Sequence, residues 1–221
     1  MALFTLGNSG RKRLIRRWSA LMRALEAPEE IRFGLLDDLL RRYGEPHRSY
    51  HNLFHIEWLF SALEPHPIAE QAALELAVWF HDAVYDTTRD TNEEESAELA
   101  RRTLEPFDPE LAHRVSDMVL ATKTHHSDDP ATQLLLDADL SILGAESAVY
   151  QRYSRAIRQE YAWLPPEAYR AGRLRVLRSF LSRPRIYVTQ AFGGLEEAAR
   201  ANLRGEVEWL EQVQPEQLNP P

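Results

Sequence analysis

Apolar residues recur at helical spacing along almost the whole chain, and no segment alternates apolar and polar residues as a half-buried strand does. In "RLIRRWSALMRAL" the apolar positions are Leu14, Ile15, Trp18, Leu21, Met22 and Leu25. Steps of three and four residues place such side chains on one face of a helix. The pattern therefore predicts an all-α fold of roughly eight to ten helices.

The helical segments also begin and end with residues that start and stop helices. "PEEIRFGLLDDLLRRYG" opens with proline and acids and closes at glycine, which is typical of a complete helix. The later segments include "SYHNLFHIEWLFSAL", "PIAEQAALELAVWFHDAVYD", "PATQLLLDADLSILG", "ESAVYQRYSRAIRQEYAWL" and "PEAYRAGRLRVLRSFLSRP". Residues 215–221 follow the last helical segment, and we expect a frayed tail there.

Charge and composition exclude several classes of protein. The net charge of −8 argues against a general nucleic-acid-binding protein, which needs a basic face. The chain contains no cysteine, so any metal must be held by nitrogen and oxygen. No apolar run is long enough to cross a membrane, and "MALFTLGNSGRKRLIRRW" lacks the apolar stretch of a signal peptide. These features predict a cytoplasmic protein that does not bind membranes.

Several polar residues interrupt segments that otherwise consist of apolar residues. His81 and Asp82 follow Trp79 and Phe80 in "LELAVWFHDAVYD". Adjacent positions on a helix point about 100° apart, so a shared partner such as a divalent cation would have to draw the two side chains together. A buried carboxylate without a partner would protonate instead of remaining charged.

The same anomaly appears in two other segments. Asp137 and Asp139 lie among leucines in "LLLDADLSILG". His51 and His55 are four positions apart in "YHNLFH", which on a helix would place both imidazoles on one face. Each feature alone has an ordinary explanation, such as a hydrogen-bonded core histidine, a helix cap or a chance dipeptide. Their ordered combination favours a metal site.

The ordered set resembles the H…HD…D signature of the HD superfamily of all-α, metal-dependent phosphohydrolases. The matching residues are His55, His81, Asp82 and Asp139. "AVWFHDAVYDT" is similar to the "HDxxEDT" segment of stringent-response alarmone hydrolases, with Asp86 at the second acid and Tyr85 in place of the first. "DADLSIL" resembles the "ADxL" segment, and this selects Asp139 over Asp137 as the ligand.

The resemblance extends beyond the signature. Residues 18–212 resemble a family of small bacterial proteins known as predicted metal-dependent HD phosphohydrolases, whose later features "IRQEY", "YRAGR" and "ARANL" are present. This implies a single HD-type helical domain over residues 1–221. Its core would span about residues 18–145, with C-terminal helices of about 146–212 packed on it.

"YHNLFH" also resembles the YHNxxH motif of cyclic nucleotide phosphodiesterases. That likeness implies that His55 binds metal and that His51 is a general acid, which suits an imidazole with an ordinary pKa of about 6.5. The alternative is that His51 only orients a water or a phosphate oxygen. The chain is much shorter than those phosphodiesterase domains and their purine-binding glutamine is not identifiable, so cyclic-nucleotide specificity does not carry over.

The chemistry implied by the resemblance is hydrolysis of a phosphoester by a metal-activated water. His55, His81, Asp82 and Asp139 would hold a divalent ion of Mn, Mg, Fe, Zn or Ni, and Asp82 would serve catalysis as well as binding. His51 would protonate the leaving oxygen. The expected partner is a small phosphorylated substrate, with a nucleotide as the default, and the choice between monomer and homodimer stays open.

Further residues are candidates for a second metal, for orienting ligands, or for binding phosphate. The first group comprises Asp86, Glu94, His125 and His126, together with Glu93. Adjacent histidines also occur in solvent-exposed turns, and acids at a helix N-terminus are favoured by the helix dipole. The candidate phosphate partners are Lys123, Arg158, Arg170 and Arg173, and arginine offers the better-matched fork of donors. The alternative for most of them is a surface position or a structural ion pair.

Three other functions remain open from the residues alone. One is a non-catalytic sensor module that binds metal and nucleotide. Another is a helical scaffold with a vestigial site, although all four signature residues are present. The third is a metal-dependent oxygenase with two irons, which would need a further ligand such as His125 or His126. A shared fold does not choose between these functions.

Overall fold

The computed structural model describes residues 2–68 and 70–218, and within them it contains ten α-helices and no β-strand. The helices are α1 (Asn8–Ala24), α2 (Glu29–Arg42), α3 (Leu53–Leu63), α4 (Gln71–Phe80), α5 (Asn92–Leu104), α6 (Pro109–Ala121), α7 (Pro130–Asp139), α8 (Ser147–Glu160), α9 (Pro166–Ser182) and α10 (Glu196–Gln212). This confirms the prediction of an all-α fold. None of these helices has the length and apolarity needed to cross a bilayer.

Helices α6 and α7 begin where the local sequence supplies an aspartate cap followed by proline. At the start of α7, Asp129 accepts a hydrogen bond from the backbone N–H of Thr132 at 2.8 Å, and Pro130 occupies the first helical position. Asp108 and Pro109 play the same parts at the start of α6. A side-chain oxygen satisfies a backbone N–H that has no partner inside the helix, and proline has no N–H to leave unpaired.

Helix α4 forms the centre of the molecule. Its last seven residues except Glu75 are fully buried apolar side chains, as expected of a helix that is surrounded by protein on all sides. The ring of Trp79 meets that of Trp18 edge to face at 5.4 Å, and the hydroxyl of Tyr43 donates to the carbonyl of Trp79 at 3.0 Å. Contacts from α1 and from Tyr43, which follows α2 directly, thus fix the C-terminal end of α4.

The end of α7 lies beside α3. Directly after α7, residues Leu140–Gly144 form a short 3₁₀ helix. The indole N–H of Trp58 on α3 donates to the Ser141 hydroxyl at 2.8 Å, and that hydroxyl donates to the carbonyl of Ala138. The 3₁₀ helix that follows α7 is therefore held against α3.

The C-terminal helices pack onto this 3₁₀ helix. Asn202 on α10 donates to the carbonyls of Leu143 and Ala145 at 2.8 and 2.9 Å. A Cβ added at Gly144 would lie 2.7 Å from Cβ of Leu195, so only glycine permits this close approach. Arg173 on α9 forms a buried bidentate pair with Glu206 on α10, which joins the last two helices to each other.

The predicted frayed tail is ordered over its first part. Pro215–Leu218 form a 3₁₀ helix, and the Leu218 side chain is buried. The guanidinium Nε of Arg158 donates to the Leu218 carbonyl at 2.8 Å. The buried Leu218 side chain and the hydrogen bond from Arg158 therefore hold this segment against α8. Residues 219–221 lie outside the described part of the chain.

Candidate metal centre

Two histidines and an aspartate form a buried cluster at the end of α4. His55 lies in the first turn of α3, and His81 and Asp82 follow directly after α4. The two Nε2 atoms are 2.9 Å apart, and Oδ2 of Asp82 lies 3.4 Å from Nε2 of His55 and 3.2 Å from Nε2 of His81. Side-chain atoms of these residues that can bind a metal lie within 4.8 Å of one another.

Asp139 approaches the same histidines from the end of α7. Its Oδ1 lies 3.2 Å from Nε2 of His55 and 3.7 Å from Nε2 of His81. The Asp137 carboxylate accepts instead from the backbone N–H groups of Val188 and Thr189 at 3.0 and 2.8 Å. The structure thus brings Asp139 to the cluster, whereas Asp137 holds the segment after α9.

The outer nitrogens of both imidazoles are hydrogen-bonded away from the cluster. Nδ1 of His81 lies 3.0 Å from the carbonyl of Val78, an acceptor, so Nδ1 carries the proton and the neutral ring presents a lone pair at Nε2. Nδ1 of His55 lies 3.1 Å from the hydroxyl of Tyr50. Metal-binding histidines are usually oriented by such contacts.

The negative charges of Asp82 and Asp139 make a proton or a cation favourable within the cluster. Burial lowers the pKa of His55, but hydrogen bonds with Asp139 and Asp82 and their negative charges outweigh this and raise it to about 9. For Asp139, burial raises the pKa, yet hydrogen bonds from His125 and His55 and the charges of the buried histidines bring it well below its usual range. Two carboxylates that face two imidazoles therefore favour a bound proton or a cation.

The distances in the cluster fit a single ion. Ligand atoms about 2.1 Å from one metal are separated by about 3.0 Å at right angles and by about 3.4 Å in a tetrahedron. The five nitrogen–nitrogen and nitrogen–oxygen distances given above range from 2.9 to 3.7 Å. The buried cluster of His55, His81 and Asp82 can therefore hold a metal ion, and Asp139 lies against both histidines of this nitrogen–oxygen set. Several divalent metals accept such a set.

The prediction that His51 and His55 share one helical face is wrong. Helix α3 begins at Leu53, and Asn52 caps it by accepting from the backbone N–H of Phe54 at 2.8 Å. His51 therefore lies in the turn before the helix. Its ring nevertheless stays next to the cluster, 5.4 Å from the ring of His55 between centroids. Similarly, α4 ends at Phe80, so the His81–Asp82 pair lies in a turn and not inside a helix.

The buried carboxylate of Glu160 shapes the turn that carries His51. One oxygen, Oε1, accepts from three consecutive backbone N–H groups, those of Ser49, Tyr50 and His51, at 2.7, 2.6 and 2.9 Å. The other, Oε2, lies 2.7 Å from Nδ1 of His51 and accepts from the Tyr85 hydroxyl at 2.8 Å. Burial raises the pKa of Glu160, but the charge and hydrogen bond of His51 and the backbone donors lower it overall.

Glu160 was not among the predicted site residues. Its only signal was its place in "IRQEY", and the end of an amphipathic helix is an ordinary position for a glutamate. A second residue without a sequence signal is Arg48, whose side chain is fully buried. Its Nη1 donates to the carbonyls of His51 and Asp82 at 3.1 and 2.7 Å, and its Nη2 donates to that of Ala83 at 3.2 Å. Arg48 thereby joins the two turns that carry site residues.

The structure separates the two adjacent histidines of "KTHH". Nε2 of His125 lies 3.0 Å from Oδ2 of Asp139, whereas His126 is exposed. The backbone of His125 is left-handed, with φ of 49°. Arg183 donates from Nη1 to the His125 carbonyl at 3.3 Å and from Nη2 to that of Thr124 at 3.2 Å. Of the two candidates, His125 is the one that contacts the cluster.

The other candidates for a second metal have different partners. The carboxylate of Asp86 accepts from the backbone N–H and hydroxyl of Thr88 at 2.9 and 2.7 Å, which forms a local turn. Glu94 pairs with Lys123 at the surface. Glu93 lines the cleft described below.

A cleft of about 580 Å³ opens beside the cluster, with His51, His81, Asp82 and Asp139 at one end and α9 along one wall. Lys123 and Arg173 line it, but Lys123 pairs with Glu94 and Arg173 with Glu206.

The Arg158 guanidinium donates to the carbonyls of Leu218, Tyr161 and Leu164. Its donors are therefore engaged by the fold, and the structure does not support the phosphate-binding role predicted for it. Arg170 is half-buried on α9.

Comparison with protein-family models, with curated proteins and with solved structures found no match to this chain. The likeness to the HD superfamily is therefore carried by the residues alone. The ordered histidines and aspartates converge in space, and this convergence is the observation from which a function can be argued.

Proposed function

We propose that this chain is a metal-dependent phosphohydrolase of the HD type, which uses water to cleave a phosphoester of a small phosphorylated substrate. The observation that carries the proposal is the convergence of His55, His81 and Asp82 with Asp139, from three separate parts of the chain, beside a cleft that His81, Asp82 and Asp139 line. His51 lies at the same end, and its ring is next to that of His55. The order of these residues also matches the HD signature.

The four side chains provide a site for one divalent cation, which when bound acts as a Lewis acid and lowers the pKa of water from 15.7 to about 7. The chain orients its own ligands for this. Val78 and Tyr50 hold the outer nitrogens of His81 and His55, so that each Nε2 faces inward. The carboxylates of Asp82 and Asp139 lie opposite the imidazoles and offset the charge of a divalent ion.

His51 is the residue placed to move a proton. The contact between its Nδ1 and Glu160 fixes the ring orientation and keeps a proton on Nδ1. In the imidazolium form of His51 the second proton is on Nε2, and this is the proton that the ring can donate to a leaving oxygen. The ring of Tyr85 lies 4.4 Å from that of His51 and packs against it. In this role Glu160 is a positioning residue that acts through His51.

The dimensions of the cleft favour a small substrate. Its volume of about 580 Å³ lies within the range of about 300–1,000 Å³ that is typical of small-molecule sites. Apolar and aromatic side chains of Leu164, Tyr169 and Phe180 form part of its wall. An organic group of a phosphoester would pack there while the phosphate lies at the metal end.

The test combines metal content with phosphoester hydrolysis, on protein purified without a histidine tag or chelator. Asp82→Asn removes the charge of one candidate ligand. Asp86→Asn is the matched control, because it changes the same residue type in the same loop and an asparagine oxygen can still accept from Thr88. We expect about one equivalent of a divalent metal and metal-dependent hydrolysis in wild type and Asp86→Asn, and neither in Asp82→Asn.

Two outcomes would reject the proposal in different ways. Equal metal content in all three proteins would exclude the cluster as the metal centre. Metal bound in wild type and lost in Asp82→Asn, with no hydrolysis across a broad phosphoester panel but with measurable nucleotide binding, would replace the enzyme by a metal- and nucleotide-binding sensor module.

A further inference from the structure

Four basic side chains line the cleft, and they differ in whether an acid neutralises them. Lys123 pairs with Glu94, and Arg173 pairs with Glu206 at 2.8 Å. The remaining two, Arg175 and Arg183, form no salt bridge with any residue that the structure describes. The wall formed by α9 and the residue that follows it therefore carries two uncompensated positive charges.

Arg183 is partly buried, and some of its guanidinium N–H groups already have hydrogen-bond acceptors. Two of its N–H groups donate to the carbonyls of Thr124 and His125, and its guanidinium lies over the ring of Phe180 at 4.7 Å from the centroid. Three of the five guanidinium N–H groups are left for another acceptor. Partial burial lowers the pKa of Arg183, with no acid to oppose the effect. A partly desolvated cation without a counter-charge is a favourable place for an anion.

Arg183 is also close to the candidate metal centre. It holds the carbonyl of His125, and the imidazole of that residue contacts Asp139. Asp82 and Asp139 carry the negative charge at the inner end of the cleft, beside the candidate metal centre, and the uncompensated cations lie on the α9 side. A phosphoester held at the metal end would thus have a second site for negative charge within the same cleft.

We propose that Arg183 and Arg175 form an anion subsite, and that the substrate is a small organic phosphate with a second anionic group that binds there. This subsite rests on the proposed function insofar as it concerns a substrate. The anion binding itself does not require turnover. Charge-assisted hydrogen bonds from arginine are the interactions that recognise a phosphate or a carboxylate in this way.

The first test measures binding of inorganic phosphate to the metal-free protein by calorimetry. Without metal, the carboxylates at the inner end repel phosphate, so binding reports on the cations of the cleft. We expect Arg183→Gln to weaken phosphate binding about tenfold and Arg175→Gln about threefold. Arg178→Gln is the matched control, because Arg178 lies on the same helix but pairs with Glu211 at 2.6 Å and should leave the affinity unchanged.

Two arginine variants are used so that the test can still be interpreted if one of them does not fold. Arg183→Gln removes hydrogen bonds to the turn that carries His125, so it can disturb the fold. Arg175 is exposed, and its substitution leaves those bonds intact. Absence of phosphate binding by the wild type, or equal affinity in Arg175→Gln, Arg183→Gln and the control, would overturn the subsite.

A second test uses the metal-loaded enzyme with phenyl phosphate and with carboxyphenyl phosphate. We expect the wild type to prefer the carboxylated ester through a lower KM and Arg175→Gln to lose that preference, whereas Arg178→Gln should keep both the preference and the kcat for phenyl phosphate. Hydrolysis of both esters with no such preference would count against the subsite and leave the phosphohydrolase proposal standing. Conversely, phosphate binding that depends on the arginines, without any hydrolysis, would reject only the phosphohydrolase.

Discussion

Nδ1 of His51 lies 2.7 Å from Oε2 of Glu160, although 109 positions separate the two residues in the chain. The other carboxylate oxygen accepts from three backbone N–H groups of the turn that carries His51. One buried side chain at the end of α8 therefore sets both the backbone of this turn and the orientation of its imidazole.

Glu160→Gln should slow hydrolysis without removing the metal. The amide oxygen can still accept from the backbone N–H groups, but the charge that orients His51 is lost. We expect kcat to fall about 10–100-fold while elemental analysis gives the metal content of the wild type. A loss of metal in this variant would show that Glu160 supports the ligands and not His51.

A double-mutant cycle separates positioning from a merely structural role. If Glu160 acts through His51, then His51→Ala combined with Glu160→Gln should have the same kcat as His51→Ala alone, because the group that Glu160 positions is already absent. Steady-state kinetics of the four proteins measures this. Rate losses that multiply in the double variant would argue for two independent roles.

Arg48→Lys should reduce metal affinity although the charge is kept. The guanidinium donates to the carbonyls of His51, Asp82 and Ala83 together, and a lysine ammonium cannot reproduce that planar set of donors. We expect metal affinity to fall about 10–100-fold, as measured by competition with a chelating dye. Arg41→Lys is a suitable control because Arg41 is an exposed residue that pairs with Asp38, and an unchanged affinity in Arg48→Lys would contradict the prediction.

The left-handed backbone of His125 predicts that glycine and alanine at this position differ in stability. Because φ is 49°, alanine retains the backbone strain at this position and glycine relieves it. We expect His125→Gly to be more stable than His125→Ala by about 1 kcal/mol, as measured by urea unfolding. Both variants lose the imidazole that contacts Asp139, so we expect the same change in activity in both. Equal free energies of unfolding in the two variants would contradict the strain argument.

Asp129 should make stability depend on pH in acid. Burial raises its pKa, but hydrogen bonds from Arg114 and Thr132 lower it, so that it falls from 3.8 to about 2 in the folded protein. Between these values the unfolded chain binds more protons. The stabilisation is therefore present above pH 3.8 and is lost as the pH falls towards about 2.

The measurement compares urea unfolding of wild type, Asp129→Ala and Asp129→Asn. At neutral pH the loss of the cap in Asp129→Ala should cost about 1 kcal/mol. From about pH 5 to about pH 3 the advantage of wild type over Asp129→Ala should shrink. Asparagine also caps helices but does not titrate, so the advantage of Asp129→Asn over Asp129→Ala should stay constant. A constant advantage of wild type would show that the pKa of Asp129 is not lowered by folding.

The sequence was informative where a polar residue broke an apolar pattern. His81, Asp82 and Asp139 stand out because helical periodicity predicts apolar neighbours, and the structure brings all three to one cluster. The helix boundaries were less predictable. "SYHNLFHIEWLFSAL" has helical spacing throughout, yet the carboxylate of Glu160 binds the backbone N–H groups of residues 49–51 and the helix begins only at Leu53.

Buried charged residues with distant partners could not be identified from the sequence. Arg48, Arg158 and Glu160 lie in segments where a charged residue would ordinarily face solvent, and only the fold shows which carbonyls and N–H groups they meet. The sequence predicted Arg158 as a phosphate partner because arginine often binds phosphate. In the structure, N–H groups of its guanidinium donate instead to the backbone carbonyls of Leu218, Tyr161 and Leu164.

The position of Glu160 also has a consequence for synthesis on the ribosome. All four candidate ligands precede residue 140, but the carboxylate that orients His51 comes about twenty residues later, and Arg183 later still. A nascent chain therefore carries all four candidate ligands before α8 and α9, which contact the turns around them, have been synthesised. The turn that carries His51 thus reaches its final geometry only after α8 has emerged from the ribosome and Glu160 can bind its backbone N–H groups.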